Sequence, residues 1–530
     1  MHEPGGQREE VVLRCALTCK QTAFGLRSSL LAPSFDFVTA PQDAPVEART
    51  GLEPWKIKEL PVAPQPRGLQ WINVVGPGVI VLGAAIGSGE FLIGPASFVR
   101  YGLTLLWITT IAATLQTIFN TELMRYTLAT GEPAFTGFMR TRPSAQFWAW
   151  FYATCYLLSV GWPAWAGAAA GAFFFLFTGR VASAADAGIV YALGIGAFFV
   201  CVLILLVGRR IERTLEILNW VLVGTILTGL SVLAIALVAP ETWLKGVAGF
   251  IGYDPTQSTF RFLPSGGDFF LLGALAGFSG AGGLINVTLS NWARDKGYGM
   301  SAHSGYIPAA LGGERTELAH TGATFVPNAE SMARWHGWWR IVRADQWGVF
   351  FVGALLGMLL PALLYVTFVP AGSDIRGFGI AAVLADAVGT RGAAVAAIVV
   401  AIMGAWILFK TQLDILDGTV RAVTDLLWSG SKRLRAMRGM DVRRVYYAVL
   451  AVAVIWGVLA LRLAQPIFLL QLSANFHGVM FVVAGLHLLY VNTRLLPVAL
   501  RPSLGKRLGL VALVVFYGTV VVFWLRGLLT

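Results

Sequence analysis

The chain has 530 residues, of which 56% are hydrophobic and 13% charged, with a mean hydropathy of +0.68. A soluble protein of this length cannot bury so much apolar side chain, and runs of about 20 apolar residues recur, so its solvent is a lipid bilayer. Lys and Arg outnumber Asp and Glu by 40 to 28, a net charge of +12; cationic loops beside a membrane account for that excess, and no nucleic acid partner is implied.

Residues 1–66 are polar and rich in Pro and Ala, hold no sustained helical or strand period, and end in Pro61-Val62-Ala63-Pro64-Gln65-Pro66. They read as a disordered N-terminal leader. Arg14 interrupts the apolar stretch Val11–Leu17, so no cleavable export signal is expected. Cys15, Cys19, Cys155 and Cys201 are too few and too scattered for a disulfide framework or a zinc site.

From residue 67 the chain reads as one transmembrane domain. Eleven apolar runs follow one another, near 72–96, 103–128, 146–177, 187–208, 215–239, 268–291, 346–369, 393–427, 445–462, 467–490 and 508–528. Barrel strands are about 10 residues long and alternate strictly. These runs are apolar on every face, and only a helix satisfies its own backbone in lipid, so an all-α polytopic bundle is predicted. With the N-terminus cytoplasmic, 23 Lys and Arg fall in the inner links and eight in the outer ones, which predicts that orientation in the cell's inner membrane.

Two spans carry glycine clusters at mid-membrane. The first contains Gly87-Ser88-Gly89-Glu90 and the sixth Ser279-Gly280-Ala281-Gly282-Gly283. Such clusters predict local unwinding around a cavity, and for the sixth span close helix packing is an equal reading. Equivalent positions lie five spans apart. Five is odd, so the second half runs the opposite way through the bilayer, as in an inverted repeat of about 70–240 and 266–492 with an extra helix at 508–528. Glu90 is the leading site residue: a carboxyl at that depth must be protonated or paired with a cation. The expected substrate-binding set is Gly87, Ser88, Gly89, Glu90, Ser279, Gly280 and Asn286, with Glu90 and Ser88 as metal ligands. A neutral, hydrogen-bonded structural Glu90 is the alternative.

The run from Gly76-Pro77-Gly78 to Gly87-Ser88-Gly89-Glu90-Phe91 resembles the first membrane helix of the Nramp divalent-metal transporters, with further echoes at Leu115-Gln116, Thr130-Gly131 and Leu472-Ser473, and in the stretch Asn291–Gly297, which matches a divergent bacterial branch. The resemblance spans roughly residues 70–500. It implies a LeuT-like fold of five plus five inverted helices and one more, and proton-coupled uptake of Mn²⁺ or Fe²⁺ by alternating access, the first and sixth spans moving against the third, fourth, eighth and ninth. The family's metal-binding Asp falls on Gly87 and its Asn on Glu90, and its Met and His in helix 6 have no counterpart in Ser279–Gly283. Hard oxygen ligands of this kind favour Mn²⁺ or Mg²⁺ over Fe²⁺. The third span holds no carboxylate, which weakens the case for protons as coupling partner.

Lys410 and Asp414 are four apart on one helical face of the eighth span, a neutralising pair or a fixed charge in place of a coupling cation. His477 and Gln116 are candidate coupling or gating residues whose bland reading is interhelical hydrogen bonding. Trp335, Trp338 and Trp339 beside Arg334, Arg340 and Arg343 predict an interfacial anchor along the inner membrane surface. No phosphate loop or nucleophile elbow is present, so neither an enzyme nor an ATP-driven pump is expected, and no cofactor. The sequence therefore predicts a secondary transporter of a divalent cation in contact with membrane lipid. A carrier of a small organic solute or anion on the same fold, or a non-transporting sensor, is the alternative.

Overall fold

Helices separated by short turns account for nearly all of the computed structural model, which describes residues 50–207, 211–308, 318–377, 379–437, 440–463 and 465–529. Among these, eleven helices are long and apolar enough to cross a bilayer: α1 (Pro77–Tyr101), α2 (Leu103–Thr130), α3 (Ala145–Thr178), α4 (Ala184–Leu206), α5 (Ile211–Leu237), α6 (Phe269–Lys296), α7 (Ala329–Phe368), α8 (Ala394–Gly430), α9 (Val442–Ala460), α10 (Pro466–Arg494) and α11 (Leu504–Gly527). The all-α class and the span count agree with the sequence. The most apolar window of α1 is 100% buried and that of α6 94%, against 28% for α5 and α9 and 17% for α11. So α1 and α6 form the centre while α5, α9 and α11 present their apolar sides outward.

Four spans depart from straight helices, α7 by a π-helical stretch at Ala344–Phe351 and three others as follows. Pro163 cannot donate an amide, and α3 breaks there into Ala145–Val160 and Ala164–Thr178. Helix α6 stops at Phe278 and restarts at Gly283, its linker held in backbone conformations with φ of +122° at Gly280 and +92° at Gly282, which favour glycine. Helix α1 was expected to unwind at the same depth, and does not. It widens into a π-helical stretch, Ile86–Ile93, between the helical segments Pro77–Ala85 and Gly94–Tyr101. The reason is a close approach: a Cβ on Gly89 would run into the Phe278 carbonyl at the end of the first half of α6. Glycine therefore serves contact here, and the backbone keeps hydrogen-bonded turns.

The expected leader also needs correction over its described part. Residues 50–66 cross one end of the bundle as a packed strap, with Leu52, Leu60 and Ala63 buried; residues 1–49 lie outside the described residues. Strand β1 (Lys56–Ile57) pairs in parallel with β4 (Ala323–Thr324), Lys56 opposite Ala323, while β2 (Tyr253–Asp254) and β3 (Thr259–Phe260) form a hairpin elsewhere. Of the tryptophans read as a lipid anchor, Trp338 holds this strap instead. Trp335 and Trp338 are buried, and Trp338 Nε1 donates to the Pro61 carbonyl at 2.9 Å. They belong to the first turns of α7, whose polar residues hid 17 residues of helix from hydropathy, its apolar run having been read as 346–369.

Ion-pair clusters close the bundle at both ends of α6. On the strap face Arg421 pairs with Asp417 at 3.0 Å and with Asp295, and Arg294 pairs with Asp425 at 2.5 Å. Trp292 Nε1 and Tyr446 Oη donate to Asp417 at 2.9 and 2.8 Å. On the opposite face Asp268 caps the start of α6 and receives Arg376 at 2.8 Å and Arg100 at 3.5 Å. Beside it Arg376 pairs with Asp374 at 2.6 Å, and this contact holds the Asp374 carboxyl down at about 2.

Candidate functional site

An interrupted helix frees backbone groups that water cannot reach, and each one left unpaired costs several kcal/mol in hydrocarbon. Side chains from three other spans answer for those of α6. Gln116 Nε2 on α2 donates to the Ser279 carbonyl at 3.1 Å, and its Oε1 accepts from the Gly282 amide at 3.5 Å. Tyr517 Oη on α11 donates to the Ala276 carbonyl at 3.1 Å while accepting from Gln116 Nε2 at 2.8 Å. His477 Nδ1 on α10 accepts from the Leu284 amide at 3.4 Å, at the start of the second half-helix. An imidazole that accepts at Nδ1 is neutral, with its proton on Nε2. Gln116 and His477, expected as coupling residues, thus hold the break itself. Tyr517 was not singled out, because one Tyr in an apolar run carries no mark of its own.

Glu90 lies on the π-helical stretch, 0% exposed. Neither carboxyl oxygen has a hydrogen-bond partner among the described residues. Its side chain lies against α7, where a Cβ on Gly357 would stand 3.4 Å from Glu90 Cγ, the backbone amides of Glu90 and Gly280 lie close to its carboxyl, and the Lys410 charge acts on it. The structure thus brings Glu90 and Gly280 together from the two mid-membrane clusters.

The other expected residues are placed as follows. Ser88 accepts from Trp165 Nε1 at 2.7 Å and donates to the Ala84 carbonyl at 3.1 Å. That hydroxyl, expected as a metal ligand, is engaged by α3 and by its own helix and keeps one lone pair. Ser279 donates to the Leu275 carbonyl at 2.7 Å and touches Thr109 Oγ1 at 3.1 Å. Asn286 donates to Asn120 Oδ1 at 2.8 Å, leaving its own Oδ1 without a partner. Gly87 lies against Thr411 and Gly89 against Phe278. Among the described residues no group of three or more His, Cys, Asp or Glu side chains is placed to hold a metal ion. Any cation at Glu90 would draw its remaining oxygens from backbone or amide groups.

A second polar cluster joins α1, α5 and α8. Lys410 Nζ stands 3.1 Å from Asp414 Oδ2, and Asp414 Oδ1 accepts from Asn219 Nδ2 on α5 at 2.8 Å. Thr411 Oγ1 donates to the Gly83 carbonyl at 3.0 Å. A Cβ on Gly83 would collide with Lys410 Nζ and Asn219 Oδ1, so any larger residue there would have to displace the polar ends of this cluster. Lys410 and Asp414, expected as partners four apart, are partners. Their anchoring to α1 through Gly83 was invisible in the spacing.

No family model matches the chain, and no curated protein matches it. Among solved structures it is similar to the manganese transporter of Eremococcus coleocola, crystallised with an aromatic bis-isothiourea substituted compound. Identity is 14%, the match covers 88% of this chain and 90% of that one, and the TM-score is 0.58. A variant of the same transporter matches at 14% identity, with 86% and 88% coverage and a TM-score of 0.57. The chain has that transporter's fold. This is the Nramp-like fold that the sequence resemblance implies, and with eleven helices apolar enough to cross a bilayer the chain is a multi-pass membrane protein.

Proposed function

We propose that this chain is a secondary active transporter of the inner membrane, N-terminus cytoplasmic, that moves a divalent metal cation, Mn²⁺ or Mg²⁺, by alternating access. One observation carries the reading: a wholly buried carboxyl whose two oxygens have no hydrogen-bond partner among the described residues, Glu90, stands mid-span beside the interrupted helix α6. An acidic residue in that setting is costly unless a proton or a metal neutralises it. The fold shared with a manganese transporter supports the cargo class, and the two ion-pair clusters at the ends of α6 supply barriers that would open in turn. Competition between cation and proton at Glu90 follows directly, since a ligand carboxyl must lose its proton to bind metal.

A second reading is favoured by the scarcity of side-chain ligands. With one carboxylate, and with Trp165 and Phe278 at 6.1 Å from each other nearby, the site also suits a small organic solute. Calorimetric titration of the purified protein with Mn²⁺, Mg²⁺ and Ca²⁺, beside Glu90→Gln, separates the two. The metal reading expects heat in the wild type that the variant loses. No heat from any divalent ion overturns it.

A further inference from the structure

At the strap face a cleft of about 420 Å³ opens between the end of α10 and the start of α11, lined by Leu489, Thr493, Arg494, Arg501 and Arg507. Three guanidiniums meet there without an acid among the lining residues. Four other arginines on this face are paired with acids: Arg125 to Glu122, Arg140 to Glu132, Arg294 to Asp425 and Arg421 to Asp417. Two of the three in the cleft are also oriented. Arg501 Nε donates to the Leu496 carbonyl and Arg507 Nε to the Pro502 carbonyl, both at 2.9 Å. These bonds fix each side chain by its inner nitrogen and leave the outer fork to a ligand. A fixed fork with two terminal nitrogens matches phosphate oxygens.

The surroundings decide which phosphate. Exposed apolar side chains lie within about two turns of these arginines on both helices, Leu486 and Tyr490 on α10 and Leu504 and Leu508 on α11, and Leu489 lines the cleft itself. The most apolar window of α11 is only 17% buried. A ligand seated here therefore has its charged end among guanidiniums and an apolar wall beneath it. We propose that the cleft holds the headgroup phosphate of an anionic phospholipid, its acyl chains lying along α10 and α11. Basic pockets at the ends of membrane helices recognise such headgroups at about 1 kcal/mol per Lys or Arg, which is roughly a fivefold change in affinity for each. This inference rests on the bilayer location alone and is independent of the cargo.

The test is thermal unfolding of the purified full chain in neutral detergent with added phosphatidylglycerol, phosphatidylcholine or inorganic phosphate. Phosphatidylglycerol is expected to raise the wild-type Tm at concentrations where the other two do not. Arg494→Gln should shift that titration about fivefold, and Arg501→Gln with Arg507→Gln by about 25-fold. Arg494 provides the control for folding, since no loop carbonyl depends on it. Equal stabilisation by phosphatidylcholine, an unshifted titration in Arg494→Gln, or reproduction of the effect by inorganic phosphate each overturns the proposal, the last in favour of a site for free anions.

Discussion

Removing either member of the Lys410–Asp414 pair should harm the protein far more than removing both. The two charges are 3.1 Å apart, and both side chains are at most 1% exposed. At an effective dielectric near 20 their attraction is roughly 5 kcal/mol, which about offsets the cost of withdrawing two ions from water. Asp414→Asn leaves a buried ammonium, and Lys410→Met leaves a buried carboxylate; each is expected to cost about 3–5 kcal/mol. The two are not equivalent. Asp414 would keep its bond from Asn219, whereas the other acid acting on Lys410 is Glu90, whose carboxyl has no hydrogen-bond partner among the described residues. So Asp414→Asn should be the more damaging. The double variant, with an apolar side chain against a neutral amide, should recover to within about 1–2 kcal/mol of the wild type, a coupling of several kcal/mol. Thermal unfolding of the four proteins, purified in the same detergent, gives the order. A double variant whose loss equals the sum of the single losses would refute the reasoning, because the pair would then hold nothing in common.

Two further outcomes follow from the geometry. Ser88→Ala leaves the buried Trp165 indole without its acceptor, an expected loss of about 1–3 kcal/mol, while divalent-ion affinity in the calorimetric titration should stay at the wild-type value; a drop of about tenfold or more would make Ser88 a ligand after all. Glu132 orients Arg140 through contacts of 2.9 and 2.5 Å, and Arg140 in turn bonds the Glu53 carbonyl of the strap and lies over the Trp55 ring. Burial pushes the Glu132 carboxyl up, but Arg140, the Gly322 amide and the Tyr126 hydroxyl together bring it below its ordinary 4.5. A depressed folded-state value means that its stabilising contribution is full above that ordinary range and fades as pH falls through the folded value. Hydrogen exchange of the strap amides, corrected for its intrinsic pH dependence, should therefore stay slow from about pH 7 to pH 5 and rise only below. Exchange that rises already between about pH 7 and 6 would assign the strap's docking to another group.

What the sequence revealed and what it withheld divide along one line, whether a feature is local to a span or made by two. Span existence is local: twenty apolar residues need no partner to demand a bilayer, and all eleven runs reappear as helices. Glu90 was legible for the same reason, as a charge whose depth alone makes it costly. Its neighbours were not. Gly87-Ser88-Gly89 tolerates both an unwound strand and a widened helix, and the choice is made by the Phe278 carbonyl pressed against Gly89, a contact written half a chain away. Ser88 offers the same hydroxyl to a cation or to an indole, and Trp165 takes it. Gln116, His477 and Tyr517 look like scattered polar residues in apolar helices until the gap in α6 is in place; then each meets a backbone group that nothing else in the hydrocarbon would satisfy. The interrupted helix thus draws its polar partners from α2, α10 and α11, and Glu90 stands at its side with a carboxyl that no side chain among the described residues hydrogen-bonds.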